Sequence, residues 1–157
     1  MLRKVDAPVY KGGHTIYTAG NFTMGLFSGT RPHGLGVRNG KLKAAPSSPN
    51  AVSSQSTEKR HAIAPLAYTG TREEVIRKLR SIIGDTPRAR IVVESPDYLH
   101  VEYESALLGF IDDVEFYLPA YEKAIQVRSA SRIGYSDFGV NRKRIENVRA
   151  RLKQAGA

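Results

Sequence analysis

A chain of 157 residues with 41% apolar residues and a net charge of +9 is the size of one domain, long enough to bury roughly 70% of its unfolded surface. It has no run of ~18 apolar residues, which excludes a transmembrane helix. It has no cysteine, which excludes disulfides, thiolate nucleophiles and Cys-based metal sites. The start, MLRKVDAPVYKGGH, is basic with no apolar stretch behind it, so it does not read as a signal peptide and a cytoplasmic location is expected.

Residues 1–60 read as an irregular arm lying on an α+β domain of residues 61–157. The arm holds eight of the fourteen glycines and four of the eight prolines, and includes the stretch AAPSSPNAVSSQS, a composition that leaves little room for long elements. Within it, GVRNGKL predicts a tight turn at Asn39-Gly40. The cluster Ile16, Tyr17, Phe22, Met24, Leu26 and Phe27 is too apolar for a free linker and is expected to dock on the domain or on a partner.

The next stretch, TREEVIRKLRSIIGDTP, predicts a helix over about 71–83. Thr71 and Glu74 form a capping box, Gly84 is the stop, and Val75, Ile76, Leu79, Ile82 and Ile83 make one apolar stripe to lay on a sheet. Strand patterns follow in RARIVVES, HVEYESALL, DVEFYL and AIQVRSAS, with PDY as a turn. Alternation sends Val101, Tyr103, Ser105 and Leu107 to one face and His100, Glu102 and Glu104 to the other. It likewise opposes Val114, Phe116 and Leu118 to Asp113, Glu115 and Tyr117, and Ile125 and Val127 to Gln126, Arg128, Ala130 and Arg132. A second helix is expected over about 141–153, with Asn141 as N-cap and Ile145, Val148 and Leu152 on one face. The order of arm, helix, antiparallel meander and helix predicts an α+β two-layer fold.

Charge is segregated along this order. Residues 91–122 carry eight acids and no Lys or Arg, whereas 123–157 carry nine basic residues and two acids. The short link PAYEKA makes DVEFYL and AIQVRSAS an antiparallel hairpin. Matching their apolar faces sets Glu115 opposite Arg128 or Gln126 and Asp113 opposite Ala130 or Arg128, and either register brings both acids within reach of Arg128 on a face expected to be wet. Arg142, Lys143 and Arg144 open the last helix, where the backbone dipole is already positive, so an anion is expected nearby. Asp112 and Asp137 are the internal candidates; an external phosphate, sulfate or carboxylate is the other.

Other chemistry is sparse. His14, His33, His61 and His100 have no metal-ligand spacing, and no metal or cofactor is expected. His100 shares a strand face with Glu102 and Glu104, a candidate acid/base pair. Gly34 and Gly36 are not followed by a strand-helix unit, so GLG is not a nucleotide loop. Asp112 and Asp113 are adjacent on a strand and face opposite sides, which argues against a shared ion.

The stretches SPNAVSSQ, PDYLHVEYES, GFIDDVEF and RSASRIGYSDFGVNRKRIE resemble the family known as domain of unknown function 1499, over about residues 30–153. Relatives of that kind occur in bacteria, including cyanobacteria, and in plant plastids, so the resemblance also implies periplasmic or thylakoid-lumen locations for some members. Where they commonly carry two cysteines, this chain has Ala45 and Ala51, which weakens a redox or metal role for that loop. The positions the resemblance marks are Asp112, Asp113, Glu115, Arg128, Ser129, Ser131, Arg132, Asp137, Asn141, Arg142 and Arg144, the residues the charge argument also reaches, and a single polar centre is expected. The favoured reading is a non-enzymatic binding or assembly module that recognises a protein partner or an anionic ligand, with association with a photosynthetic or other membrane complex by family analogy. The alternative is an enzyme on a small anionic substrate, with Arg128, Arg132 and Arg142 as clamps and Asp113 or Glu115 carrying the proton. Nucleic-acid binding ranks below both, since no binding motif or aromatic strand pattern is present.

Overall fold

Asn39 and Gly40 adopt φ values of +52° and +72°, and Arg38 and Lys41 exchange both backbone hydrogen bonds across them. This is the type I′ geometry that the Asn-Gly pair favours. The computed structural model describes residues 9–11, 14–16 and 27–157. Tyr17, Phe22, Met24 and Leu26 of the apolar arm cluster lie outside the described residues.

Among the described residues eight strands and two helices run in the order β1 (Val9–Lys11), β2 (His14–Ile16), β3 (Ala51–Ser53), β4 (Leu66–Ala67), α1 (Arg72–Gly84), β5 (Ala89–Ser95), β6 (Tyr98–Glu104), β7 (Ile111–Tyr117), β8 (Ala124–Ser131) and α2 (Val140–Gln154). The sheet order is β1-β2-β5-β6-β7-β8-β3, with β4 also pairing with β8, and every pair is antiparallel. β5 to β8 form the expected meander, so the fold is α+β. Among the described residues the arm holds three short strands, which extend both edges of the sheet.

The first helix begins as its sequence dictates. Thr71 caps Glu74 N–H, and the Glu74 carboxylate returns to Thr71 N–H. Gly84 is its last residue and not the residue beyond it; Asp85 N–H closes the helix on the Ser81 carbonyl and Thr86 N–H on the Ile83 carbonyl. Val75, Ile76, Leu79, Ile82 and Ile83 are buried with Leu99, Val101, Val114, Phe116, Ile125 and Val127 of the sheet and with Ile145, Val148 and Leu152 of α2. Both helices lie on this one face, with α1 toward β5 and α2 toward β8 and β3.

Two expectations fail at the strand ends and on the second face. β6 stops at Glu104, so Ser105 and Leu107 belong to the loop that returns to β7. The face expected to be wet is buried: His100, Glu102, Asp113, Glu115 and Arg128 are all nearly inaccessible. Residues of the 28–50 stretch cover it, with Leu42 and Val37 packed on Tyr98, Tyr117 and Val93. The reason is energetic: charges on this face pair with one another and with backbone donors from the cover, so burial does not strand a charge without a partner.

Candidate functional site

The strand register builds the site. β6, β7 and β8 set His100 opposite Glu115, Glu102 opposite Asp113, Glu115 opposite Arg128 and Asp113 opposite Ala130. One continuous row of ionisable side chains results, all on the face away from the helices. Arg132, one residue past β8, turns back over this row. Its Nε donates to Asp113 Oδ2 at 2.8 Å and its Nη2 to Asp113 Oδ1 at 2.9 Å and to Glu102. Glu102 also receives Arg31 Nε at 2.8 Å and the Arg90 guanidinium. Burial disfavours the charged form of Glu102, but bonds from Arg90, Arg31 and Arg132 outweigh it and bring the pKa down to about 2. Asp113 follows the same balance: burial raises its pKa, Arg132 and His100 lower it, and the result is about 2.

An ionised Asp113 accepts from His100 Nε2, 2.8 Å from Oδ1, so that ring nitrogen carries the hydrogen. Glu115 accepts from Gly36 N–H at 2.7 Å, Tyr98 O–H at 2.8 Å and Arg128 Nη1 at 3.4 Å. Gly36 reaches it with φ of +108°, a conformation that glycine alone enters cheaply. Tyr98 is pushed well above the usual phenol range, first by burial and then by the Glu115 charge. Arg128 is buried, and its Nε has no hydrogen-bond partner among the described residues.

The remaining expected residues lie on the other side of the sheet, so the single polar centre divides in two. Asp112 receives Arg144 Nη2 at 2.6 Å, and the Arg144 guanidinium stands 4.7 Å over the Tyr103 ring. Burial raises the Tyr103 phenol to about 12, with Arg144 and Arg151 opposing it. Ser129 and Arg144 both donate to Asn141 Oδ1, and Asn141 Nδ2 donates to the Asn50 carbonyl and Ser131 Oγ, each at 3.0 Å. Asn141 is therefore not the N-cap. That position is Gly139, without a side-chain cap, and Asn141 sits inside the helix, fully buried. Asp137 supplies the negative charge expected at this helix start: its carboxylate accepts Gly139 N–H at 3.0 Å and Asn141 N–H at 2.8 Å. Burial works against its ionisation, but these backbone bonds prevail and its pKa is lowered. Arg142 pairs with no carboxylate among the described residues; it donates to the Arg60 carbonyl at 3.1 Å.

Sequence reasoning left Arg31, Gly36, Tyr98, Arg90 and Glu102 off the polar centre. The signal for Glu102 was available: His100, Glu102 and Glu104 alternate, and extending the same register by one strand sets Glu102 opposite Asp113. Arg31 and Gly36 come from a stretch with no periodicity and had no such signal.

Beside the buried row, residues of the 31–38 loop and the ends of β5, β6 and β7 enclose a cleft of about 710 Å³. Tyr98 and His100 line it while bonded to Glu115 and Asp113; Arg31, His33 and Arg38 come from the loop, and Asp97 is the one acid among the described residues that line it. Val93, Leu35 and Val37 make part of the wall apolar. A family described as protein of unknown function, DUF1499, matches residues 41–152, most of the chain. The chain belongs to this family. No curated protein matches it. In this DUF1499 member the matched range takes in every carboxylate of both networks, whereas Arg31 and Gly36 reach the buried row from outside it. Among the described residues no helix is long and apolar enough to cross a membrane, and no cluster of potential metal ligands is present.

Proposed function

We propose that this protein is a non-enzymatic binding module that holds a small organic anion in the cleft between the 31–38 loop and the sheet. The observation that carries the reading is that Tyr98 and His100 belong at once to the cleft wall and to the buried ion-pair row. The wall is thus held rigid before any ligand arrives, and preorganisation of this kind favours binding. Arg31 is committed to Glu102, but Arg38 pairs with no carboxylate among the described residues and favours a negative group, and the apolar wall favours a hydrocarbon or aromatic body attached to it. The carboxylates of the row are already held by guanidinium, imidazole, phenol or backbone donors, which supports a supporting role for them.

Thermal melts of the full chain with inorganic phosphate, octanoate and phenyl phosphate, each against sodium chloride of equal ionic strength, test this reading. An anion with an apolar body should raise Tm saturably. Arg38→Ala should weaken that ligand about tenfold, the loss of one charge-assisted hydrogen bond, while leaving the Tm of the free protein unchanged. No specific rise with any probe overturns it.

One observation favours an enzyme instead. His100 lines the cleft with Nε2 held by Asp113, the arrangement of a general base and its orienting carboxylate. Arg142, far from this face, is not one of its clamps. Under that reading a bound probe is chemically altered on incubation and His100→Gln stops the change without abolishing binding. Recovery of the probe unaltered sustains the binding module.

A further inference from the structure

At one end of the sheet two loops present large apolar side chains to solvent, with nothing among the described residues packed over them. Residues 105–110 join β6 to β7 and carry Leu107, 91% exposed, and Leu108, 48% exposed. Residues 132–139 leave β8 for α2 and carry Tyr135, 75% exposed, and Phe138, 90% exposed. The two loops emerge side by side: Arg132 N–H bonds the Ile111 carbonyl at 3.0 Å, and Asp112 pairs with Ser131. Phe138 also has a φ of +52°, a left-handed backbone in which a bulky residue is an outlier. The turn that brings Asp137 back onto the start of α2 needs this left-handed backbone, but it does not need an aromatic, and burial does not explain one. Behind the tips stand cations: Lys143 is exposed in the first turn of α2, next to Arg142, and exposed Arg88 flanks the loop through the bond from Glu104 N–H to its carbonyl. Of the nearby acids, Asp112 and Asp137 are occupied by Arg144 and by helix N–H groups, and Glu104, at the start of the first loop, is half-buried and stands beside Arg88 in the backbone pairing.

The geometry points to an anionic bilayer surface as the occupant of this end, with Leu107, Leu108 and Phe138 entering the headgroup-acyl boundary and Lys143, Arg142 and Arg88 meeting acidic headgroups. Isolated apolar tips on separate loops suit a fluid apolar medium, whereas a protein interface buries a packed core within a polar rim. Cations set behind the tips complement an anionic leaflet. The site is distinct from the cleft, which opens toward the other end of the strands, where Tyr98 pairs with Tyr117.

Co-sedimentation with vesicles of phosphatidylcholine, with and without phosphatidylserine, tests it at low and high salt. The full chain is expected to bind the phosphatidylserine vesicles and to release them as salt rises. The double variant Leu107→Ser, Phe138→Gly should bind about tenfold more weakly, and Lys143→Glu should weaken binding as well. Both substitutions are at exposed positions, and glycine suits the Phe138 backbone, so Tm should be unchanged or higher in the double variant. Absence of binding to phosphatidylserine vesicles overturns the proposal. So does binding that the double variant leaves intact, since that is general attraction of a +9 chain. A self-association that the double variant abolishes, without vesicle binding, overturns it too and assigns the tips to a second copy.

Discussion

Arg132 and Arg128 lie four residues apart on the same face and hold it by different amounts. Arg132 bridges two carboxylates on two strands, whereas among the described residues Arg128 reaches only Glu115, at 3.4 Å. Glu115 keeps Gly36 N–H and Tyr98 O–H if Arg128 is lost. Asp113 keeps only His100 if Arg132 is lost. Removing one partner of a buried pair strands the other charge at about 3–5 kcal/mol, while deleting one of several hydrogen bonds to a buried group costs about 1–3 kcal/mol. Urea unfolding should therefore rank Arg132→Ala well below Arg128→Ala in stability. Equal losses would mean that the bridge to Glu102 contributes nothing beyond a single ion pair.

At the scale of elements, α1 makes the plainest prediction. Leu79 is fully buried between the helix and the sheet, so Leu79→Ala should cost about 2–5 kcal/mol, measurable as a shift in the urea midpoint. That helix was legible because its cap, stripe and end are all local, whereas two apolar faces and a short link left β7 and β8 two registers, with Glu115 opposite Arg128 or Gln126, of which the fold takes the first. The start of α2 was not legible in detail. Asn141 has the chemistry of an N-cap, but Asp137, four residues earlier, folds back through the left-handed Phe138 and Gly139 to take that role. This frees Asn141 to bind Ser129, Ser131 and Asn50 from inside the helix. The cover over the charged face was hidden for another reason. Alternation in β6 to β8 distinguishes an apolar face from a polar one, and residues 28–50 have no period to say that they lie on the latter. A polar face thus read as a wet one, and only the tertiary placement of Gly36 and Arg31 shows otherwise.

For the whole molecule, an ionic layer under a loop cover makes stability depend on pH. Glu102 and Asp113 both titrate near 2 in the folded protein, below the 4.5 and 3.8 of unperturbed groups. A carboxylate whose folded pKa is depressed contributes stability that is complete above its unfolded pKa and is lost as pH falls toward the folded one. Each contributes on the order of 2 kcal/mol at neutral pH, and that is lost between about pH 5 and pH 2. Protonation of the remaining acids over the same range adds to a charge that is already +9, and repulsion acts in the same direction. The urea midpoint of the full chain should then be level from pH 7 to about pH 5 and fall steeply below it. Glu102→Gln should start lower at pH 7, since Arg31, Arg90 and Arg132 lose their shared anion, and should fall less on acidification because one of the titrating groups is gone. A parent midpoint that is the same at pH 3 and pH 7 would show that the buried carboxylates are not ionised in the fold, and that the arginines around them are held by something other than charge.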